Sequence, residues 1–103
     1  MIVAERFHAL GDPTRIEIIQ RLSTGASHTI TTVSQGLEMS RQGIRKHLQI
    51  LADANVIKLE PKGRDTYVQL ERQALEDSKA FITALELQWD TRLEALRDFV
   101  DKE

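Results

Sequence analysis

Apolar positions recur along this chain at three- and four-residue steps, interrupted once by a stretch that alternates as paired strands do. Val3, Phe7 and Leu10 follow helical spacing, and Gly11 supplies a left-handed stop. Asp12 then caps a second helix with Pro13 at its first position, where a missing N–H costs nothing. Ile16, Ile19 and Leu22 form its core stripe, and Gly25 ends it. Thr32-Val33-Ser34-Gln35 has the Thr and Gln spacing of a capping box and predicts a short helix. Leu37 and Met39 are placed to lock that helix against the next, for which Ser40 is the N-cap. On the helix that follows, Ile44, Leu48 and Leu51 share one stripe, while Gln42, Lys46 and Gln49 point the opposite way with Arg45 at their flank. Helix, brief turn and helix make a helix-turn-helix.

Ala54-Asn55 ends the second helix of that pair. Val56-Ile57-Lys58-Leu59-Glu60 is then answered by Thr66-Tyr67-Val68-Gln69-Leu70, which predicts a hairpin. Pro61 and Gly63 between them supply turn chemistry, and Lys62 and Arg64 put two cations at the tip. A basic hairpin after a reading helix is a wing. From about Arg72 to Lys102 the chain lacks Gly and Pro and predicts one long helix, with room for a break or bend near its start. Leu85, Trp89, Leu93, Leu96 and Val100 mark its apolar stripe, broadened by Phe81, Ile82 and Phe99. Such a helix spans roughly 46 Å at about 1.5 Å per residue, more than the preceding 70 residues can cover. Part of its face is therefore assigned to a second copy, with the first helix and its Val3 and Phe7 packed alongside.

The fold class predicted is mainly α with a small β-hairpin, a winged helix-turn-helix ending in a long dimerisation helix. Its 103 residues suit a single domain over 1–103: N-terminal helices over 1–24, helix-turn-helix over 31–53, wing over 56–70 and dimerisation helix over 72–102. The absence of Cys removes disulfides and thiolate metal sites. No apolar run is long enough to span a bilayer, and Glu5 and Arg6 interrupt any signal-peptide pattern, so the expected compartment is the cytoplasm and no membrane partner is expected. The net charge of −2 argues against nucleic acid until its distribution is considered. Residues 39–64 carry Arg41, Arg45, Lys46, Lys58, Lys62 and Arg64 against only Asp53 and Glu60, whereas residues 71–103 hold five cations and nine carboxylates. A basic footprint on an acidic body concentrates phosphate attraction at one face.

That face has the chemistry to read DNA. Gln bonds the N6 and N7 edge of adenine, Arg and Lys take guanine O6 and N7 or a phosphate, and no carboxylate interrupts the stripe before Asp53. The residues expected at DNA are Ser40, Arg41, Gln42, Arg45, Lys46, Gln49, Lys62 and Arg64. The alternative is a winged-helix module whose basic face meets an acidic protein, but mixed amides and cations suit base edges better. Catalysis has no support: there is no Gly-rich phosphate loop, nucleophile elbow or HExxH pattern. His8, His28 and His47 share no ligand spacing, and His47 lies near the inner side of the reading helix, where a structural role is expected.

Phe7-His8-Ala9-Leu10-Gly11-Asp12-Pro13-Thr14-Arg15, Arg45-Lys46-His47-Leu48 and Lys62-Gly63-Arg64 with Tyr67 together resemble the bacterial winged-helix regulators of the arsenical-resistance-repressor type, ArsR/SmtB-like. The likeness covers almost the whole chain. It implies a dimer joined through its terminal helices that binds an operator and usually represses transcription; two reading helices on a twofold axis then predict a near-palindromic operator. Thiolate-sensing members carry Cys where this chain has Thr31-Thr32-Val33-Ser34-Gln35, and zinc sensors use His across the paired C-terminal helices, of which residues 71–103 have none. The resemblance is therefore to members without a thiolate metal site; no cofactor is expected, and the sequence names no effector.

Overall fold

A computed structural model describes residues 2–101. The order is α1 (Ile2–Leu10), α2 (Pro13–Leu22), β1 (His28–Thr29), α3 (Ile30–Val33), α4 (Arg41–Asp53), β2 (Ile57–Lys62), β3 (Asp65–Leu70) and α5 (Arg72–Asp101). This is a winged helix-turn-helix with a three-stranded antiparallel sheet and one long terminal helix. Ile18, Val33, Leu48, Leu51 and Val56 are its most deeply buried large side chains, so α2, α3, α4 and the start of the wing share one core.

Several local expectations are corrected. Gly11 does not adopt a left-handed conformation; a Cβ there would sit 3.3 Å from the Phe7 carbonyl oxygen, so the position needs room rather than a positive φ. The inward stripe of α2 is Arg15, Ile18 and Leu22, while Ile16 is 44% exposed. The sequence pattern misses this because it does not count an arginine as a core residue. On α1 the fully inward residues are likewise Arg6 and Ala9; Val3 is half-buried and Phe7 exposed.

The cap of the short helix also lies three residues earlier than expected. Thr29 accepts from the Thr32 backbone N–H, and the Thr32 hydroxyl accepts from Thr29 N–H at 2.8 Å, so the capping box is Thr29 with Thr32. Thr29 takes this role because it ends β1, whose two residues pair with Val68 and Tyr67 of β3 in what the sequence presents as a plain loop. Leu37 packs against the core, but Met39 is exposed.

In the wing, the strands run on to Lys62 opposite Asp65, leaving the two-residue turn Gly63-Arg64 with Gly63 at φ +62°. Pro61 is therefore inside β2, not in the turn. That is tolerated because β3 is central and β2 is an edge, where a missing N–H need not face a neighbour. Helix α5 is one continuous element with no break near its start; the expected end at Lys102 lies outside the described residues. No helix among the described residues is long and apolar enough to cross a membrane.

Asp12 behaves as its capping role requires. Its carboxylate accepts from the Arg15 backbone N–H at 3.1 Å, and that bond, aided by the Arg15 guanidinium charge, holds its pKa below the ordinary aspartate value of 3.8. A depressed folded pKa means that the charged form stabilises the fold above 3.8 and that this contribution disappears as pH falls through the lower folded value. Asp12→Asn keeps a capping oxygen but not the charge. It should lower Tm at pH 7, and the difference should close as pH is taken below about 4; an unchanged gap in thermal melts at pH 7 and pH 3 would refute the electrostatic part.

Candidate nucleic-acid interface

Helix α4 begins where the Ser40 hydroxyl accepts from Gly43 N–H at 3.1 Å, and it ends at Ala54, followed by Asn55 with a positive φ of 59°. Its inner residues Ile44, Leu48 and Leu51 are buried, as the spacing requires. That anchoring fixes the helix rotation and leaves Arg41, Gln42, Arg45, Lys46 and Gln49 exposed together with Ser40. None of these cations belongs to an ion pair among the described residues. The exception to freedom is Gln49, whose amide donates to Asp53 Oδ1 at 2.8 Å. This orients the amide along the helix and leaves its oxygen and second N–H available.

The wing presents Lys62 and Arg64 as exposed cations, with Lys62 Nζ 5.6 Å from the Tyr67 ring centroid. That contact gives a flexible lysine a favoured resting place. Arg64 lies on the α4 side: with Arg41, Arg45, Ile44, Thr29, Ile30, Thr31, Ser34, Asp65 and Thr66 it lines a cleft of about 290 Å³ between the helix-turn-helix and the wing turn. The structure thus brings Arg41, Arg45 and Arg64 to one place, whereas Gln42, Lys46, Gln49 and Lys62 lie outside that cleft.

Two residues outside the expected set hold this face in position. Arg15 is 7% exposed; its Nε donates to Ala9 O at 2.6 Å, Nη2 to His8 O at 3.3 Å, and Nη1 to His47 Nδ1 at 3.0 Å. Because a guanidinium only donates, His47 Nδ1 must be the acceptor and the ring proton sits on Nε2. Asp12 Oδ2 is 3.9 Å from the same nitrogen, beyond hydrogen-bond reach, so the Arg15 contact governs the ring. The structural role expected for His47 is thus to tie α4, through Arg15, to α1 and α2. Arg6 makes a second tie, donating from Nη1 to Asp77 of α5 at 3.0 Å and from Nε to Ala54 O at 3.4 Å, where α4 ends. Asp77 accepts from both Gln73 and Arg6, which lowers its pKa below 3.8. The available signal for Arg15 was its i−3 relation to Asp12 in the Asp-Pro-x-Arg run.

The residues expected at a subunit contact form the other pole. Phe7 and Phe81 meet with their rings tilted by 55° and 5.9 Å between centroids, joining α1 to α5. Beyond them Leu85, Trp89, Leu93, Leu96 and Val100 are all exposed, Trp89 by 61%.

A helix-turn-helix domain family model matches residues 10–60. Over 72 residues, 70% of its length, the chain is 36% identical to the transcriptional repressor SdpR of Bacillus subtilis, of which it spans 79%. It is 33% identical over 66 residues to the arsenical resistance operon repressor of the same organism, spanning 63% of that protein. The solved structure of an ArsR-like transcriptional regulator from Rhodococcus sp. RHA1 superposes with a TM-score of 0.83 at 28% identity, covering 95% of this chain and 92% of that one.

Proposed function

The chain belongs to the ArsR family of winged helix-turn-helix transcriptional regulators, DNA-binding proteins that are not enzymes, and from that premise we propose that it acts as a homodimer on a near-palindromic operator and represses transcription. One observation carries the reading: the apolar anchors of α4 are buried while every amide and cation on its opposite face is exposed and none of the cations is paired. A helix anchored by its buried side, with cations free of internal partners and only the Gln49 amide bonded within the helix, loses little order on entering a major groove.

Gln42, Lys46 and Gln49 enter the major groove, Arg41 and Arg45 lie by phosphates or flanking bases with Ser40 at the helix start, and Lys62 and Arg64 take the minor groove or the backbone. Two such helices on a twofold axis reach successive major grooves about 34 to 36 Å apart. The dimer forms through α1 and the apolar stripe of α5, a surface that a single chain leaves in water.

Genome-wide mapping of bound sites yields the operator, and gel-shift titration of variants on that DNA tests the reading. Gln49→Ala should relax base preference at one position, costing about 1 to 3 kcal/mol for a bidentate adenine contact. Lys62→Ala should weaken all sequences alike and reduce the salt slope by about 1. Unchanged affinity in both variants would refute the assignment of the reading face.

A further inference from the structure

Three arginines of the compact body are already engaged: Arg6, Arg15 and Arg21 each donate to carbonyl or carboxylate oxygens, Arg21 to Glu17, Val33 O and Gln35 O. Arg41, Arg45 and Arg64 differ. They converge on the 290 Å³ cleft between α3, α4 and the wing turn, and none has an ion pair or a side-chain hydrogen bond among the described residues. Thr31 and Thr66, on the same walls, also have side-chain hydroxyls without a protein partner among those residues, whereas the Ser34 hydroxyl is spent on Ile30 O at 2.6 Å. Asp65 is the single carboxylate lining the cleft. Three guanidiniums against one carboxylate leave an excess of positive charge that Asp65 alone does not offset. Self-repulsion of that kind is relieved by a bound anion.

We propose that this cleft is a phosphate seat, in which Arg41, Arg45 and Arg64 grip one phosphate group between the reading helix and the wing, with the Thr31 and Thr66 hydroxyls as further donors. A phosphate suits the cleft because its oxygens are disposed tetrahedrally rather than in one plane, so the two non-bridging oxygens of a backbone phosphate, or the larger set of a free one, accept from donors on separate walls. The three arginines come from the first two turns of α4 and from the wing turn, so an occupied seat fastens wing to helix; Arg64 is then a backbone contact and not a minor-groove one. The inference rests on the DNA-binding reading of α4 for its principal source, a backbone phosphate, while a free phosphate meets the same chemistry.

The test uses the full chain without DNA and inorganic phosphate as the probe. The Nε–H signals of Arg41, Arg45 and Arg64 are followed by NMR as phosphate replaces chloride at constant ionic strength. All three should shift along one saturable curve, and Arg64→Gln should raise the phosphate dissociation constant at least tenfold at the two remaining arginines, whereas Arg97→Gln, on α5 and outside the cleft, should not. A linear response shared by every surface arginine would overturn the seat, as would an unchanged constant in Arg64→Gln. A random-sequence duplex separates the sources: displacement of the duplex by phosphate in parallel with the Arg signals identifies a backbone phosphate, and duplex binding indifferent to a phosphate-saturated cleft identifies a free ligand. Loss of duplex binding in a wild-type protein that still takes phosphate would refute the reading of α4 and leave the seat standing; duplex binding with no phosphate saturation would do the reverse.

Discussion

Trp89→Ala, or Leu93→Asp, should turn the protein into a folded monomer and abolish most operator binding although neither residue lies near α4. Both sit in the exposed stripe of α5, beyond the Phe7 and Phe81 contact where the helix leaves the body. A Trp side chain offers about 200 Å² of surface, and with 61% of Trp89 exposed in one chain its burial by a partner is worth about 3 kcal/mol per protomer at roughly 25 cal/mol per Å². Losing even one such share raises the dimer dissociation constant at least a hundredfold, on the scale of about 1.4 kcal/mol per decade. A charge at Leu93 acts by a different route, since a carboxylate placed in an apolar seam must be desolvated without a partner. Circular dichroism should show both variants helical, sedimentation should show them monomeric, and gel-shift should show the weakened binding that follows when one reading helix acts alone. A folded monomer with wild-type operator affinity would refute the dimer mechanism.

Arg15→Met should be the most damaging change outside the apolar core. It removes three hydrogen bonds and strands the buried carbonyl of Ala9, a cost of about 3 kcal/mol or more when a charged donor is lost and an acceptor is left unsatisfied. For a domain of this size that lowers Tm by roughly 12 °C or more. The same guanidinium ties α4 through His47 to the end of α1, so operator binding should fall even at a temperature where the variant is fully folded. His47→Ala separates the two effects. It leaves the carbonyl bonds of Arg15 intact and releases only the reading helix, so its loss of stability should be smaller, about 1 kcal/mol, with operator affinity still reduced. Wild-type stability in Arg15→Met, measured by denaturant titration, would show that the buried arginine is dispensable.

The elements legible in the sequence are those whose signals are local. Ser40 before a 3.6-residue pattern, Asp12-Pro13 at a helix start and the alternation on either side of Gly63 each depend on a few neighbouring residues, and α2, α4, β2 and β3 form where those signals lie. The exposed face of α4 was equally readable, because burying Ile44, Leu48 and Leu51 dictates where Gln42, Arg45, Lys46 and Gln49 must point. The run without Gly or Pro gave α5 as one helix, and its stripe marked the surface one chain cannot cover.

Tertiary structure decided what distance along the chain conceals. That Arg6 and Arg15 are core residues follows from carbonyl oxygens at Ala54, His8 and Ala9 which only the packed helices bring within reach. The pairing of His28 and Thr29 with Val68 and Tyr67 creates β1 from a segment too short to show any period, and it moves the cap of α3 to Thr29. Pro61 is admitted to a strand because the sheet order leaves β2 at the edge. The meeting of Arg64 with Arg41 and Arg45 follows from how the wing folds back over the helix-turn-helix. Periodicity records only which side of an element faces inward; which groups meet there is set by contacts between residues far apart in sequence.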